Sequence, residues 1–195
     1  MNREFGARPL PGARRLFLAV FPPPATAAAV MHIVEALRTR GDRVAWVKRE
    51  NLHYTLRFLG EVGEGEMAAA ADAAREVAAA HAPFDAALAA PGAFPHATRA
   101  RVLWLGMDEG AGPLRALAGS LEDALAARGF ARAEQPFTPH LTIGRMRVAA
   151  DWAARLAAAP PLETRFRVES FALVRSTLAP GGSRYERLVE AALAG

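Results

Sequence analysis

The stretch NLHYTLRFLG, residues 51–60, carries the pattern that decides the fold. Apolar and polar residues alternate along it, as they do in a half-buried β-strand whose successive side chains point to opposite faces. One face is predicted to pack under helices, and its side chains are Leu52, Tyr54, Leu56 and Phe58. The other face carries His53, Thr55 and Arg57. The stretch therefore predicts a strand with one apolar face and one chemically functional face.

A second stretch of the same kind, TPHLTIGR, occupies residues 138–145. Both stretches contain His-x-Thr followed by an aliphatic residue. Alternation predicts that His140, Thr142 and Gly144 share the polar face, where Gly144 would leave room for a ligand. Arg145 falls on the apolar side by the same alternation, unless the strand ends at Gly144. If the two strands meet, they line a cleft with two imidazoles and two hydroxyls.

The architecture around the two motifs is also repeated. Phe17, in an apolar strand, precedes His53 by 36 residues, and Leu103, in another, precedes His140 by 37. Each interval contains one amphipathic helix. The fold class predicted is α+β and bilobal, with two pseudo-two-fold-related lobes, each an antiparallel sheet flanked by helices, and the active-site cleft between them. Residues 1–195 are interpreted as one such domain, of which 1–13 form a flexible tail.

The periodicity of apolar residues and the positions of glycine and proline predict the individual elements. The predicted strands are 16–21, 44–47, 52–59, 84–88, 101–105, 140–145, 166–174 and 185–189. The predicted helices are 22–40, 65–81, 114–129 and 151–158. The stretch RRLFLAVFPPP, residues 14–24, could suggest an export signal, but its apolar run is short and three prolines follow it. We interpret it as a buried strand that leads into a helix.

Composition excludes several classes of protein. No apolar run approaches the ~20 residues of a membrane span, so no membrane partner is expected. There is no cysteine, which excludes disulfides and thiolate metal sites and is compatible with the cytoplasm. The net charge is +4, and Lys48 is the single lysine among the basic residues. This mild positive balance permits a nucleotide or nucleic-acid partner without requiring one. No pattern predicts an obligate dimer, and we expect a cytoplasmic monomer.

Two histidines with neighbouring hydroxyls suit one kind of chemistry. Imidazole titrates near neutrality, so one ring can act as a base while the other acts as an acid. Thr55 and Thr142 could hold the oxygens of a tetrahedral anion, and Arg57 could neutralise its charge. This set suits the opening of a cyclic phosphodiester by water. A metal site is the rival interpretation, but neither motif offers a second ligand at metal spacing, so no metal or other cofactor is expected.

The motifs HYTL and HLTI resemble the paired motifs of the 2H phosphoesterase superfamily. The flanking stretches RLFLAVFPP, WVKRENLHYTLRFLGEV, GAFPHATRARVLWLGM, PFTPHLTIGR and LVRSTLAPGGSRYE are similar to the RNA 2′,3′-cyclic phosphodiesterase branch, or 2′-5′ RNA ligase family. The resemblance implies metal-independent hydrolysis of RNA or nucleotide 2′,3′-cyclic phosphates to 2′-phosphate ends, with 2′-5′ RNA ligase activity in some members. It implies His53 as proton donor and His140 as proton acceptor, with Thr55 and Thr142 on the phosphate. The residues alone do not decide which histidine is acid and which is base.

Three further residues are candidates for substrate binding. Arg57 has the parity of the cleft, Arg145 follows the second motif directly, and Tyr185 follows the APGG turn, where Arg184 could also reach the substrate. Two alternatives to an RNA cyclic phosphodiesterase stay open. One is a 2H phosphoesterase acting on a different nucleotide cyclic phosphate or a 2′-5′ oligonucleotide. The other is a non-catalytic module that binds RNA ends.

Overall fold

The computed structural model describes residues 13–162, 164–180 and 182–195. The predicted 1–13 tail therefore lies outside the described residues, except for Ala13. In chain order the elements are β1 (Arg14–Val20), α1 (Pro24–Leu37), β2 (Val44–Trp46), β3 (Tyr54–Val62), α2 (Glu64–Ala79), β4 (Phe84–Phe94), β5 (Ala100–Met107), α3 (Ala111–Ala126), β6 (Leu141–Ala150), α4 (Ala153–Ala157), β7 (Arg165–Val168), β8 (Ser170–Ala179) and β9 (Gly182–Ala192). Short 3₁₀ turns cover Arg49–Asn51 and Ala97–Arg99.

The α+β class and the antiparallel pairing are confirmed, and the sheets predicted for the two lobes are the two halves of one sheet. The strands run in the order β7-β4-β5-β6-β3-β1-β8-β9, with β2 paired to β6 as well, and every pairing is antiparallel. The order is symmetric about the junction of β3 with β6. On each side, the strand that carries a histidine motif is followed by the strand that begins that half of the chain, β1 or β5. Among the described residues, one pair, Tyr54 opposite Leu141, joins β3 to β6 and so joins the two halves of the sheet.

Strands from one half of the chain pair with strands from the other half, which the sequence pattern did not reveal. Strand β2, from the first half of the chain, pairs with β6, and β4 pairs with β5 and β7. Strands β8 and β9, from the end of the chain, extend the sheet beyond β1. The predicted strand 166–174 is two strands, β7 and β8, which separate at Glu169 and belong to opposite ends of the sheet. Hydrophobic periodicity identifies a strand but not its neighbour, so these pairings lie beyond it.

One face of the sheet is covered by helices and holds the main core. Helices α2 and α3 pack against each other, α2 also against β8 and β9, and α3 against β3. On the side of β4 and β5, Ile33 of α1 and Leu156 of α4 lie near Leu105 around one pocket. Tyr54, Leu141 and Ile143 are fully buried in this core, as predicted. Among the described residues, no helix is long and apolar enough to cross a membrane.

A smaller apolar cluster lies on the opposite face of the sheet. It contains Phe17 and Ala19 of β1 with Ala172 and Val174 of β8, and Phe21 and Tyr185 pack against it. Phe17 and Ala19 alternate along β1 with Leu16, Leu18 and Val20, which belong to the main core. Strand β1 is therefore buried on both faces, which accounts for its continuous apolar run. This second face is the one that carries the histidines.

Candidate active site

The two histidine motifs meet where β3 pairs with β6. Tyr54 lies opposite Leu141 in this antiparallel pair, and both side chains point into the main core. Continuing the register by one residue each way places His53 opposite Thr142 and Thr55 opposite His140. Because side chains alternate, all four point away from the core, onto the face of the smaller apolar cluster. The structure thus brings together the two imidazoles and two hydroxyls that the sequence predicted to share a cleft.

A β-bulge occurs at the last residue of each motif. In β3, Thr55 lies opposite Ala19 and Arg57 opposite Leu18, so Leu56 is an extra residue. In β6, Thr142 lies opposite Trp104 and Gly144 opposite Leu103, so Ile143 is the extra residue. The bulged residue is in both cases the fourth of the His-x-Thr-aliphatic motif. A bulge shifts the parity of the residues that follow it, up to the next bulge, and so moves those side chains to the other face of the sheet.

The bulge in β3 removes Arg57 from the histidine face, so the prediction that it shares the cleft with His53 was wrong. Arg57 lies opposite Leu18, a residue of the main core. Its Nε atom lies 2.7 Å from Oε2 of Glu122 on α3, and its guanidinium also donates to the carbonyl of Ala131. Simple alternation failed here because it assumes a regular strand.

The bulge in β6 has the opposite effect on Arg145. Arg145 lies opposite Val102, which is next to the core-facing Leu103 in β5. Arg145 therefore lies on the histidine face, whereas regular alternation had placed it on the apolar face. Its positive charge contributes to the lowered pKa of both His53 and His140, which places it within electrostatic reach of both rings. Arg145 itself is exposed to solvent.

Gly144 moves to the core side with the same bulge, so the prediction that it leaves room for a ligand was wrong. It lies opposite Trp46 of β2. A Cβ atom added at Gly144 would lie 2.7 Å from Cγ1 of Val44 and 3.2 Å from the Trp46 ring. The space beside Gly144 is filled by β2, and the glycine is needed for the close approach of these two strands.

Both imidazoles are oriented by the same hydrogen bond. Nδ1 of His53 lies 2.7 Å from the carbonyl oxygen of Asn51, and Nδ1 of His140 lies 2.7 Å from that of Thr138. A carbonyl oxygen only accepts, so Nδ1 must carry the proton in each ring. The neutral form of each histidine therefore has its lone pair on Nε2. Since each partner lies two residues before its histidine, the two sites use the same local geometry.

The two rings differ in their surroundings. His53 is enclosed by three aromatic rings with centroids 4.9 to 5.8 Å from its own, those of Phe17, Tyr185 and Phe21. Burial is the main cause that lowers the pKa of His53 to about 4, with a smaller part from the charge of Arg145. Burial also lowers the pKa of His140, whose ring packs edge-on against Phe94 at 5.2 Å. Both lowered pKa values favour the neutral imidazole at pH 7 in the unliganded protein.

The site contains one further predicted residue and several that were not found from the sequence. Tyr185, a predicted binding residue, lies against His53 and Phe17. Phe17, Phe94 and Asn51 were not singled out as site residues, because an apolar side chain in a strand and a backbone carbonyl carry no sequence signal of this role. Among the described residues, no group of three or more histidine, aspartate and glutamate side chains is arranged to hold a metal ion.

Comparison with known proteins agrees with this architecture. Residues 22–179 match the 2′-5′ RNA ligase superfamily. A protein of Methanothermobacter thermautotrophicus named RNA 2′,3′-cyclic phosphodiesterase is 33% identical over 88% of this chain and 94% of its own length. A protein of Thermotoga maritima with the same name is 34% identical over 90% of this chain and 94% of its own. The crystal structure of E. coli LigT complexed with 3′-AMP superposes with a TM-score of 0.76 at 30% identity, covering 94% of this chain and 99% of LigT.

Proposed function

Because the chain belongs to the 2′-5′ RNA ligase superfamily, we propose that it is a cyclic phosphodiesterase that hydrolyses RNA or nucleotide 2′,3′-cyclic phosphates to 2′-phosphate ends without a metal ion. The observation that carries this proposal is the arrangement of the two His-Thr pairs. The pairs lie across the β3–β6 junction on one face, and both histidines are held through Nδ1 so that Nε2 is available.

The reaction needs one proton taken and one proton given. A neutral imidazole accepts a proton from water at Nε2 while the water oxygen forms a bond to phosphorus. The bond between phosphorus and the 3′ oxygen breaks, and the second imidazole, protonated at Nε2, gives its proton to that oxygen. The product carries a 2′-phosphate and a 3′-hydroxyl. If the 5′-hydroxyl of a second RNA replaces water, the same step forms a 2′-5′ linkage, so ligation requires no further group.

The roles of the histidines follow the family resemblance, with His53 as proton donor and His140 as proton acceptor. The pKa of His53, about 4 in the unliganded protein, is too low for a proton donor at neutral pH. A bound phosphodiester carries a negative charge beside the ring, and that charge favours the protonated imidazole. Substrate binding is therefore proposed to bring a proton onto His53, which limits the acid to the occupied site.

The remaining residues of the face are proposed to hold the substrate. Thr55 and Thr142 donate their hydroxyl protons to the non-bridging oxygens of the phosphate, since each lies opposite a histidine in the sheet. Arg145 supplies the positive charge that offsets the charge of the phosphate. Tyr185 bounds the site beside His53 and is proposed to contact the substrate. Arg57 is given no part in binding, because it is paired with Glu122 on the other side of the sheet.

The proposal is tested by incubating the protein with adenosine 2′,3′-cyclic phosphate in the presence of EDTA. We expect turnover, with adenosine 2′-phosphate and not the 3′-isomer as the product. Loss of activity on chelation that added metal restores would refute the metal-free mechanism. Tight binding with no product after long incubation would instead favour a non-catalytic module that captures RNA ends. A panel including a 2′-5′-linked dinucleotide separates the related activities of the superfamily.

A further inference from the structure

A pocket of about 530 Å³ lies beside the histidine site, between the β8–β9 hairpin and the turn Arg49–Asn51. Tyr185 is common to both, because it lines the pocket while its ring packs edge-on against His53 with the centroids 5.3 Å apart. A ligand that spans Tyr185 would reach both sites. We refer to this space, lined by Lys48, Glu50, Asn51, Ser183, Arg184 and Tyr185 among others, as the hairpin pocket.

The hairpin pocket carries a positive charge. Lys48 and Arg184 line it together with one acid, Glu50, and Lys48 is the single lysine of the chain. Within the described residues, neither Lys48 nor Arg184 forms an ion pair, although ten ion pairs are found elsewhere. Two exposed cations that form no ion pair with the described residues, in a concave site next to a phosphate site, favour a second anionic group.

The hairpin pocket is also connected to His53 by hydrogen bonds. Nδ2 of Asn51 donates to the carbonyl oxygen of Ser183 at 2.8 Å, which ties the hairpin to the turn. The carbonyl oxygen of the same Asn51 accepts the proton of His53 Nδ1 at 2.7 Å. One residue therefore connects the wall of the pocket to the imidazole. A group bound in the pocket and a phosphate bound at the histidines would therefore be linked through Asn51.

We propose that the hairpin pocket binds the 5′-phosphate of the nucleotide whose 2′,3′-cyclic phosphate lies between the histidines. This proposal rests on the proposed function. In RNA that 5′-phosphate is the phosphodiester linking the terminal nucleotide to the chain, whereas a free nucleoside 2′,3′-cyclic phosphate lacks it. The pocket thus gives the enzyme a preference for RNA ends over free cyclic nucleoside phosphates. Lys48 and Arg184 contact the phosphate, and Tyr185 separates the two anionic groups.

The test compares kcat/KM for three substrates. They are adenosine 2′,3′-cyclic phosphate, the same molecule with a 5′-phosphate, and the dinucleotide ApA ending in a 2′,3′-cyclic phosphate. We expect the dinucleotide to exceed the first substrate by about tenfold, the equivalent of ~1.4 kcal/mol. The double variant Lys48→Ala, Arg184→Ala should lose that advantage and keep its activity on adenosine 2′,3′-cyclic phosphate. The advantage of the wild type should also shrink as salt is raised.

The control variant is Arg115→Ala, which removes an exposed arginine on α3, a helix on the opposite face of the sheet. It should leave all three values unchanged. If the 5′-phosphorylated mononucleotide also has a higher kcat/KM than adenosine 2′,3′-cyclic phosphate, the phosphate alone suffices for binding. If only the dinucleotide has a higher kcat/KM, the ligand is the linking diester. Both results support the pocket. An equal loss on all three substrates in the double variant, or no preference in the wild type, would overturn it. If the wild type does not turn over adenosine 2′,3′-cyclic phosphate at all, the proposed function fails instead.

Discussion

The guanidinium of Arg57 lies 2.7 Å from the carboxylate of Glu122, on the face of the sheet that His53 does not occupy. Both side chains are largely buried, with 16% and 20% of their surface exposed. Because the bulge at Leu56 sends Arg57 toward α3, its role is to join β3 to that helix. Arg145, which follows the equivalent bulge in β6, has the opposite placement. The two arginines therefore make a matched pair for mutation.

Arg57→Ala is expected to lower stability and leave catalysis nearly unchanged. Removing Arg57 leaves the partly buried carboxylate of Glu122 without its positive partner, with the backbone N–H of Ala133 as its remaining donor, which costs about 1–3 kcal/mol in the free energy of unfolding. Urea unfolding measures this cost, and kcat/KM on a cyclic nucleotide measures catalysis. A double-mutant cycle with Glu122→Gln isolates the pair. A large fall in kcat/KM with stability unchanged would contradict the assigned position of Arg57.

Arg145→Ala is expected to show the reverse behaviour. The exposed side chain contributes little to stability, but its charge faces the phosphate site, so kcat/KM should fall roughly 10- to 100-fold. The same charge contributes to the lowered pKa of both histidines, so the pKa of His53 and of His140 should rise in the variant. Histidine NMR titration of the unliganded protein measures this rise. Arg57→Ala is the matched control and should move neither value.

His53→Ala and His140→Ala are each expected to lower kcat roughly 10²- to 10⁴-fold, the usual contribution of general acid–base catalysis. The fall in kcat for the double variant should be smaller than the product of the two single-variant factors, because acid and base act in one concerted step. His96→Ala is the control, since that exposed ring hydrogen-bonds, within the described part of the chain, to Thr98 of its own loop. A double variant that retains full activity would exclude the two-histidine mechanism.

Much of the fold could be predicted from the sequence because strand faces and repeated motifs are encoded by neighbouring residues. The periodicity around Leu18, Tyr54 and Ile143 identified buried strand faces, and repetition of the motif indicated that the histidines meet. The faces of Arg57 and Arg145 could not be predicted, because a β-bulge depends on which backbone groups the neighbouring strand offers. One inserted residue moves the side chains that follow it to the other face of the sheet, until a further bulge restores the alternation. The pairing of β2 with β6 is likewise a tertiary choice that no short pattern encodes.

Gly144→Ala is expected to destabilise the fold without removing any chemical group. The new Cβ would lie 2.7 Å from Cγ1 of Val44, closer than side chains approach, so β2 would have to shift away from β6. Overpacking of this kind costs about 1–3 kcal/mol. Val44→Ala removes the clashing methyl groups. In the Val44→Ala background, adding Gly144→Ala should therefore cost less free energy of unfolding than it costs in the wild type. Equal stability of Gly144→Ala and wild type in urea would show that the two strands are not in this close contact.

Stability should fall as the pH is lowered from 6.5 toward 4, and His53 should account for part of the fall. The pKa of His53 is lowered to about 4 in the folded protein, against 6.5 for the unperturbed side chain. Between these values the unfolded chain binds a proton that the folded protein does not bind, so stability is fully present above pH 6.5 and decreases below it. A shift of this size corresponds to ~3 kcal/mol. His140, whose pKa is also lowered, adds a further decrease of the same sign.

The test compares urea unfolding of the wild type and of His53→Gln at pH 7.5, 5.5 and 4.5. The variant should lose less stability over this range, whatever its stability at pH 7.5, because glutamine does not titrate. Parallel curves for the two proteins would mean that His53 titrates normally in the folded state and that its aromatic surroundings do not exclude water from the ring.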